Sequence, residues 1–346
     1  MPQATLTDRQ RHVLRALVAA YVGAAAPVGS ATLSNLLSVR LSSASVRNTL
    51  AELTTLGLVQ KPHASAGRVP TTEGIRLFID RLLDVAEISQ YERRSIDRSF
   101  DEVHADHTAQ LASKLLSDHT RQLGFVVAPR IERLALRQVS FVRLAFDRVL
   151  AVLVDTHGQA HQRVIEDPLE GARVDQADLD RMSAALNERI AGRTLGEVRK
   201  LLRGEVRCLR NRAGRLLEQA LQLGLLAAEA AMESPDEGDL VIATRLALLD
   251  QPEFSDPERL RELLTALERG ERLVDLLEGL LEGEGVSVAL GDELEIHGFG
   301  GCALVAASYG DSAGMLGVIG PARMDYGRII PLVNYCSQMV TDKLSS

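Results

Sequence analysis

The 346-residue sequence predicts an α+β chain: a small helical head that ends in a two-stranded hairpin, then a larger body of strands and helices. Three observations predict it. Within residues 1–83 apolar positions recur at helical spacing in successive segments, and the period then switches to strand–turn–strand. Residues 123–166 and 285–319 are strand-like and flank a long helical stretch. Charge is split as well. Residues 1–83 carry nine Lys/Arg against four Asp/Glu, a local +5 in a chain of net −8. A basic head on an acidic body suits a protein that meets phosphate with one end only.

The first helix is expected over residues 8–22, where Val13, Leu14, Leu17, Val18 and Tyr21 share one face. Thr7 caps it, and Gln10 three residues on completes a capping box. Gly23 and Pro27 end it. A second helix runs from about Ser30, taken as its N-cap, to Leu37. A third runs from about Ser43, also taken as a cap, to Leu56, and Gly57 stands where a left-handed residue is wanted. Val46, Leu50 and Leu53 lie on one side of it. Ala44, Ser45, Asn48, Glu52 and Thr55 lie on the other, with Arg47 at the border. Leu58–Lys61 reads as a strand, 62–67 as a turn-rich loop, and Arg68–Thr71 as the returning strand. Three helices and a hairpin are winged-helix order. A fourth helix follows over 72–83.

Residues 84–122 are polar and helix-prone, a connector of one or two helices. Strands are expected over 125–129, 139–146, 149–155 and 158–166, and helices over 175–233. A short apolar piece, 240–249, precedes two helices around 257–283. Strands over 285–290, 293–297, 303–308 and 315–319 and a helix over 324–344 close the chain. The expected division is a head, 1–83; a connector, 84–122; a discontinuous α+β domain, 123–174 with 236–346; and a helical insertion, 175–235.

Composition excludes several classes. The three cysteines are far apart with no CxxC, so neither a disulfide framework nor a zinc site is expected, and a cytoplasmic location fits. No apolar run approaches a membrane span, and the start lacks the pattern of a signal peptide. No cofactor or metal is expected.

The candidate interface is with duplex DNA. Small polar residues near the start of the third helix are what a recognition helix brings to the major groove. Asn48 suits adenine, Arg47 guanine or a phosphate, and Ser45 several partners. Ser43 sits beside them at the helix start. Ser30, with the backbone N–H groups of the second helix, is expected to seat a phosphate. Lys61, His63 and Arg68 on the wing are expected to reach an adjacent groove or the backbone.

The run Ser42-Ser43-Ala44-Ser45-Val46-Arg47-Asn48-Thr49-Leu50-Ala51-Glu52-Leu53 resembles the bacterial heat-inducible transcription repressor family HrcA. So do Gly57-Leu58-Val59, Pro62 to Thr71, and Gly74 to Asp80. A second match lies far away, in Gln251-Pro252-Glu253-Phe254 and in Gly317 to Tyr326. The pattern departs at Ile75, where the family often has an aromatic residue, and at Ala243-Thr244-Arg245. The resemblance implies a winged helix, a GAF-like domain and a dimerising segment inserted in it. It also implies a homodimer that represses chaperone operons at an inverted-repeat operator called CIRCE, kept active by the GroEL chaperonin. Palindromic half-sites mirror two-fold protein symmetry.

Other classes were weighed on residues. A ligand-sensing regulator would use the GAF-like domain, which shows no chemical signature for an effector. Gly310-Asp311-Ser312-Ala313-Gly314 matches the hydrolase elbow GxSxG, but strand-like runs flank it on both sides and no histidine follows Ser312. His104, Asp106 and His107 have helical spacing and read as a solvated face, as His157 and His161 read as a turn. Gly298 to Gly301 lies between strands and does not open a helix, so it is no phosphate cradle.

Overall fold

A computed structural model describes residues 6–63, 66–103, 107–128, 134–145, 148–156, 158, 160–166, 175–209, 215–233, 240–242, 246–248, 251–268, 285–294, 296–310 and 314–344. Ser312, His104, Asp106, His157 and residues 243–245 fall outside them. The chain forms two compact units. One gathers residues 1–127, 240–309 and 315–343; the other is 128–239 with 310–314 and 344–346.

The first unit begins with α1 (Asp8–Ala24), α2 (Ser30–Leu36), α3 (Ser43–Thr55), β1 (Val59–Gln60), β2 (Val69–Pro70) and α4 (Thr72–Arg81). The expected capping box is present: Thr7 Oγ1 accepts from Gln10 N at 3.3 Å, and Gln10 Oε1 accepts from Thr7 N at 2.9 Å. Val13, Leu14, Leu17, Leu33, Val46 and Leu53 are fully buried in one core. The strands pair antiparallel, Val59 opposite Pro70. Val28 adds a third rung, exchanging backbone bonds with Arg68 at 2.8 and 2.9 Å. Gly57 is left-handed at φ 75°, and Leu58 N bonds back to Leu53 O, which closes α3 as its sequence predicts.

The same unit continues with α5 (Gln90–Asp101), α6 (Thr108–Thr120), β3 (Leu123–Val127), β7 (Leu240–Ile242), α10 (Pro257–Glu268), β8 (Val286–Leu290), β9 (Cys302–Tyr309), β10 (Gly314–Pro321) and α11 (Tyr326–Leu344). The strands form one five-stranded sheet in the order β7-β3-β10-β9-β8. Helices cover it, the layout expected of a GAF-like domain. Phe125, Leu304 and Ile319 meet Leu263 and Phe299 in its core. Pro331 lies inside α11 and has no N–H, which frees the carbonyl of Gly327. Ala86 N takes it at 3.1 Å, fastening the segment after α4 to the closing helix. The strand expected over 293–297 is absent. Residues 291–293 make a 3-10 turn instead, because Glu293 Oε2 accepts from Leu290 N at 2.9 Å and folds the chain back on itself.

The second unit contains β4 (Leu136–Ala145), β5 (Arg148–Asp155), β6 (Ala160–Glu166), α7 (Gln176–Ile190), α8 (Leu195–Leu209) and α9 (Arg215–Glu233). The sequence reading grouped 123–174 as one half of the body domain. Here only β3 joins the five-stranded sheet, whereas β4, β5 and β6 pair solely with one another. Their apolar side explains the difference. Phe141, Val149, Ala151, Leu153 and Ile165 pack against Leu179, Leu186, Leu202 and Leu221 of the three helices. Helix α7 also occupies the edge of β4. Asn187 bonds both N and O of Val139, at 2.7 and 3.0 Å; Ser183 accepts from Phe141 N, and Gln176 from Arg143 N. That edge is closed to strand addition.

The carboxyl of Glu293 gives a pH prediction. Burial works to raise it, but hydrogen bonds from Arg76 and Leu290 N outweigh burial and hold it below its usual 4.5. Glu92 is also lowered, by hydrogen bonds from Arg328 and Ser89. A carboxyl depressed by folding lends stability that is fully present above its unfolded value and lost as pH falls through the folded one. The urea midpoint is therefore expected to be level above about pH 5 and to drop below about 4.5, less steeply in Glu293→Gln. An identical acid limb in Glu293→Gln would remove this carboxyl from the account.

Candidate nucleic-acid interface

Helix α3 is set by its cap and its apolar face. The cap is Ser42, one residue before the Ser43 read from sequence: Ser42 Oγ accepts from Ser45 N at 3.2 Å and lies 3.0 Å from Ser45 Oγ. Substituting such a cap costs about 0.5–2 kcal/mol. Ser43 takes the first helical position, and its hydroxyl is 3.1 Å from that of Ser30. Ser30 is likewise not a cap; Gly29 holds that place, without a side-chain bond, in a helix of seven residues. The two serines thus tie the start of α2 to the start of α3, which occupies the hydroxyls expected to meet phosphate.

Val46, Leu50 and Leu53 anchor α3 in the head core. Asn48 is exposed on the opposite side and Arg47 at its border, and neither side chain has a hydrogen bond or ion pair among the described residues. Glu52, placed on the same outward face by spacing, is turned to α1. Its carboxylate accepts from Gln10 Nε2 at 2.9 Å and from Arg9 Nη2 at 3.3 Å. Two effects follow: α1 and α3 are joined, and a negative charge next to Asn48 is neutralised. Such an exposed ion pair adds little to stability.

On the wing, Lys61 and His63 are exposed, and Arg68 is half-buried. The backbone of Arg68 is spent on Val28, and its Nε is buried without a partner. A buried donor that lacks an acceptor is costly. The wing returns at Gly67, where a Cβ would stand 2.5 Å from Val28 carbonyl atoms. Only glycine admits that approach.

The structure therefore leaves Arg47 and Asn48 exposed on α3, with Ser45 half-buried near its start, and places Lys61, His63 and Arg68 in and beside the hairpin that follows. The reading from sequence missed the Ser42 cap, because three serines in four positions offer nearly equal caps. It also missed the pairing of Glu52, for which the Gln10 and Arg9 positions carry no local signal.

No cluster of metal-ligating side chains occurs among the described residues. The flanks of the GxSxG match are both strands, β9 and β10. Burial pushes the thiols of Cys302 and Cys336 up to about 12, so both are protonated at neutral pH. No described helix is long and apolar enough to cross a membrane.

A family model described as "Winged helix-turn-helix transcription repressor, HrcA DNA-binding" matches residues 5–80, and one described as "HrcA protein C terminal domain" matches residues 106–330. Relatives include the heat-inducible transcription repressor HrcA of Geobacter sulfurreducens, 36% identical over 341 residues with 97% of each chain covered. The protein of the same name from Xanthomonas campestris pv. campestris is 38% identical over 341 residues, covering 97% of this chain and 95% of that one. A solved structure described only as a hypothetical protein is similar in fold, with TM-score 0.59 at 23% identity over 99% of both chains. The named relatives are transcription repressors, not enzymes. With a DNA-binding winged head and a body both matched along nearly its whole length, the chain belongs to the HrcA family of heat-inducible transcription repressors.

Proposed function

We propose that the protein represses chaperone operons in the cytoplasm by binding, as a homodimer, an inverted-repeat operator of the CIRCE type. The observation that carries this reading is the uncommitted pair Arg47 and Asn48 one turn into α3, beside a carboxylate already neutralised by α1. Asn48 reads adenine and Arg47 guanine, each through paired hydrogen bonds. Ser45 contributes a hydroxyl. Lys61, His63 and Arg68 hold the wing against the phosphate backbone, and Ser30 and Ser43 hold the α2–α3 joint that presents α3.

The dimer joins through the inserted unit. One side of the β4-β5-β6 sheet is packed on its helices, and the other carries an exposed apolar row between polar residues such as Gln162 and Glu166. Val142, Leu150 and Val164 stand in one cross-strand row on that open side. Val142 and Val164 are 42% and 54% exposed, and Leu144 beside them 53%. A contiguous exposed apolar face of this kind marks an interaction surface. Activity is maintained by the GroEL chaperonin and lost on heating, because a marginally stable head needs to lose only a few kcal/mol to leave its operator.

The test is a gel-shift titration on inverted-repeat and scrambled duplexes at fixed near-physiological salt, with and without chaperonin. Selective binding that brief heating removes and chaperonin restores is expected. Equal, weak binding to both duplexes with chaperonin present would reject the reading. Asn48→Ala or Arg47→Ala should cost about 1–3 kcal/mol on the operator and relax its sequence preference. Lys61→Ala should weaken binding to every duplex alike and lower the salt slope by about one. Equal losses for Asn48→Ala on operator and random DNA would take Asn48 out of base reading.

A further inference from the structure

Gln10 belongs to the capping box of α1, and its amide has a second partner outside that box. Oε1 accepts from Thr7 N at 2.9 Å, while Thr7 Oγ1 accepts from Gln10 N at 3.3 Å. The other end of the amide, Nε2, donates to Glu52 Oε2 on α3 at 2.9 Å. Arg9 Nη2 reaches the second oxygen of the same carboxylate, Oε1, at 3.3 Å. Both oxygens of Glu52 are therefore engaged by α1, although its side chain is 42% exposed.

Glu52 stands four residues after Asn48, the helical spacing at which a carboxylate and an amide side chain meet on one face. Released from α1, the carboxylate can accept from Asn48 Nδ2. That donor is half of what adenine recognition uses, since Nδ2 donates to N7 and Oδ1 accepts from the N6 amino group. In the folded head Glu52 is turned to α1, and the Asn48 side chain has no partner among the described residues. An exposed ion pair alone holds a side chain weakly. The firmer hold is the Gln10 amide. The capping box has already ordered it, so little further side-chain freedom is lost when it bonds Glu52.

We propose that Gln10, with Arg9, is a positioning residue for base reading: it keeps the Glu52 carboxylate on α1 and so leaves the Asn48 amide free for DNA. The proposal rests on the reading of Asn48 as a base contact given above. It also gives the glutamine a reason to be glutamine. Glutamate serves a capping box equally well, but a carboxylate at position 10 would repel Glu52 where the amide holds it.

The test is made on full-length protein, with an inverted-repeat duplex of the CIRCE type and its scrambled counterpart at fixed salt. The readout is the ratio of the two affinities, because a change of net charge acts on both duplexes. Arg9→Gln/Gln10→Glu removes both anchors and keeps the capping box. Its ratio is expected to fall about tenfold. Adding Glu52→Gln should bring the ratio back within about twofold of wild type, since an amide at 52 donates to the new carboxylate at 10. Glu52→Gln alone should also stay within about twofold, whereas Asn48→Ala should cost the wild type about tenfold and the released variant less than about twofold. Circular dichroism checks the fold, and Gln10→Glu alone decides if the double variant does not fold. A released variant that keeps the wild-type ratio while Asn48→Ala lowers it overturns the proposal and leaves base reading intact. So does a ratio that Glu52→Gln fails to restore. A fall for Glu52→Gln alone would make Glu52 a base contact in its own right, and likewise overturns it. An Asn48→Ala ratio equal to wild type rejects the base-reading role itself, and the proposal with it.

Discussion

Val142→Asp with Val164→Asp is expected to yield monomers and to lower operator affinity by about 10²–10⁴, the gain that linked sites provide. The substituted side chains point away from the core of their own unit, since their neighbours Phe141 and Ile165 are the buried ones. The fold of the monomer should therefore survive, with an unchanged thermal transition at low concentration. Two carboxylates within an apolar contact must be desolvated without a counter-ion, a penalty that a small interface does not survive. The position of α7 narrows the geometry further. With Gln176, Ser183 and Asn187 bonded to the outer edge of β4, a second copy cannot add a strand at that edge. Sedimentation velocity reads the outcome. A double variant that stays dimeric at micromolar concentration would place the contact elsewhere.

Gly74→Ala is expected to destabilise the head by about 3 kcal/mol, at the upper end of overpacking costs. In an ordinary helix the same change stabilises by about 0.5–1 kcal/mol, so the sign alone tests the geometry. Gly74 is in the first turn of α4, and a Cβ there would lie 2.1 Å from the carbonyl oxygen of Leu58. The Cβ is fixed in place by the helix backbone and the oxygen it meets is backbone, so no rotamer relieves the clash. Drawing α4 back would cost a linked set of bonds. Leu58 O accepts from Thr71 N at 3.1 Å; Thr71 Oγ1 caps Gly74 N at 3.1 Å and donates to Gly57 O at 2.6 Å. The wing strand, the cap and the end of α3 would move together. Gly23→Ala is the control, because nothing lies within 4 Å of a Cβ there. Urea unfolding in which Gly74→Ala matches Gly23→Ala would show that the close approach does not exist.

The head was largely legible as sequence. Thr7 and Gln10 announce a capping box that depends on three residues of separation, and Gly57 announces a left-handed turn. The apolar positions Val13, Leu17, Val46 and Leu53 repeat at the period of the backbone they sit on. The exposure of Arg47 and Asn48 on α3 follows from the same geometry. Where choices were nearly equal, the reading slipped by one residue, as with Ser42 for Ser43 and Gly29 for Ser30. The body was less legible. Its strands could be located by alternation, but alternation is the same whichever sheet a strand joins.

Helical period, caps, turn glycines and the basic bias of the head were settled within short stretches of chain, because each depends on neighbours a few residues apart. The membership of β4, β5 and β6 in a unit of their own was not. Nor was the meeting of Arg323 with Glu253, 70 positions away, or of Arg76 with Glu293, 217 away. Such partners are chosen by the packing of whole layers, which brings an arginine and a carboxylate from distant segments within reach of each other. The caps, turns and helical faces of the head are therefore written locally, and the contacts that join it to distant segments exist only once those parts of the chain have folded together.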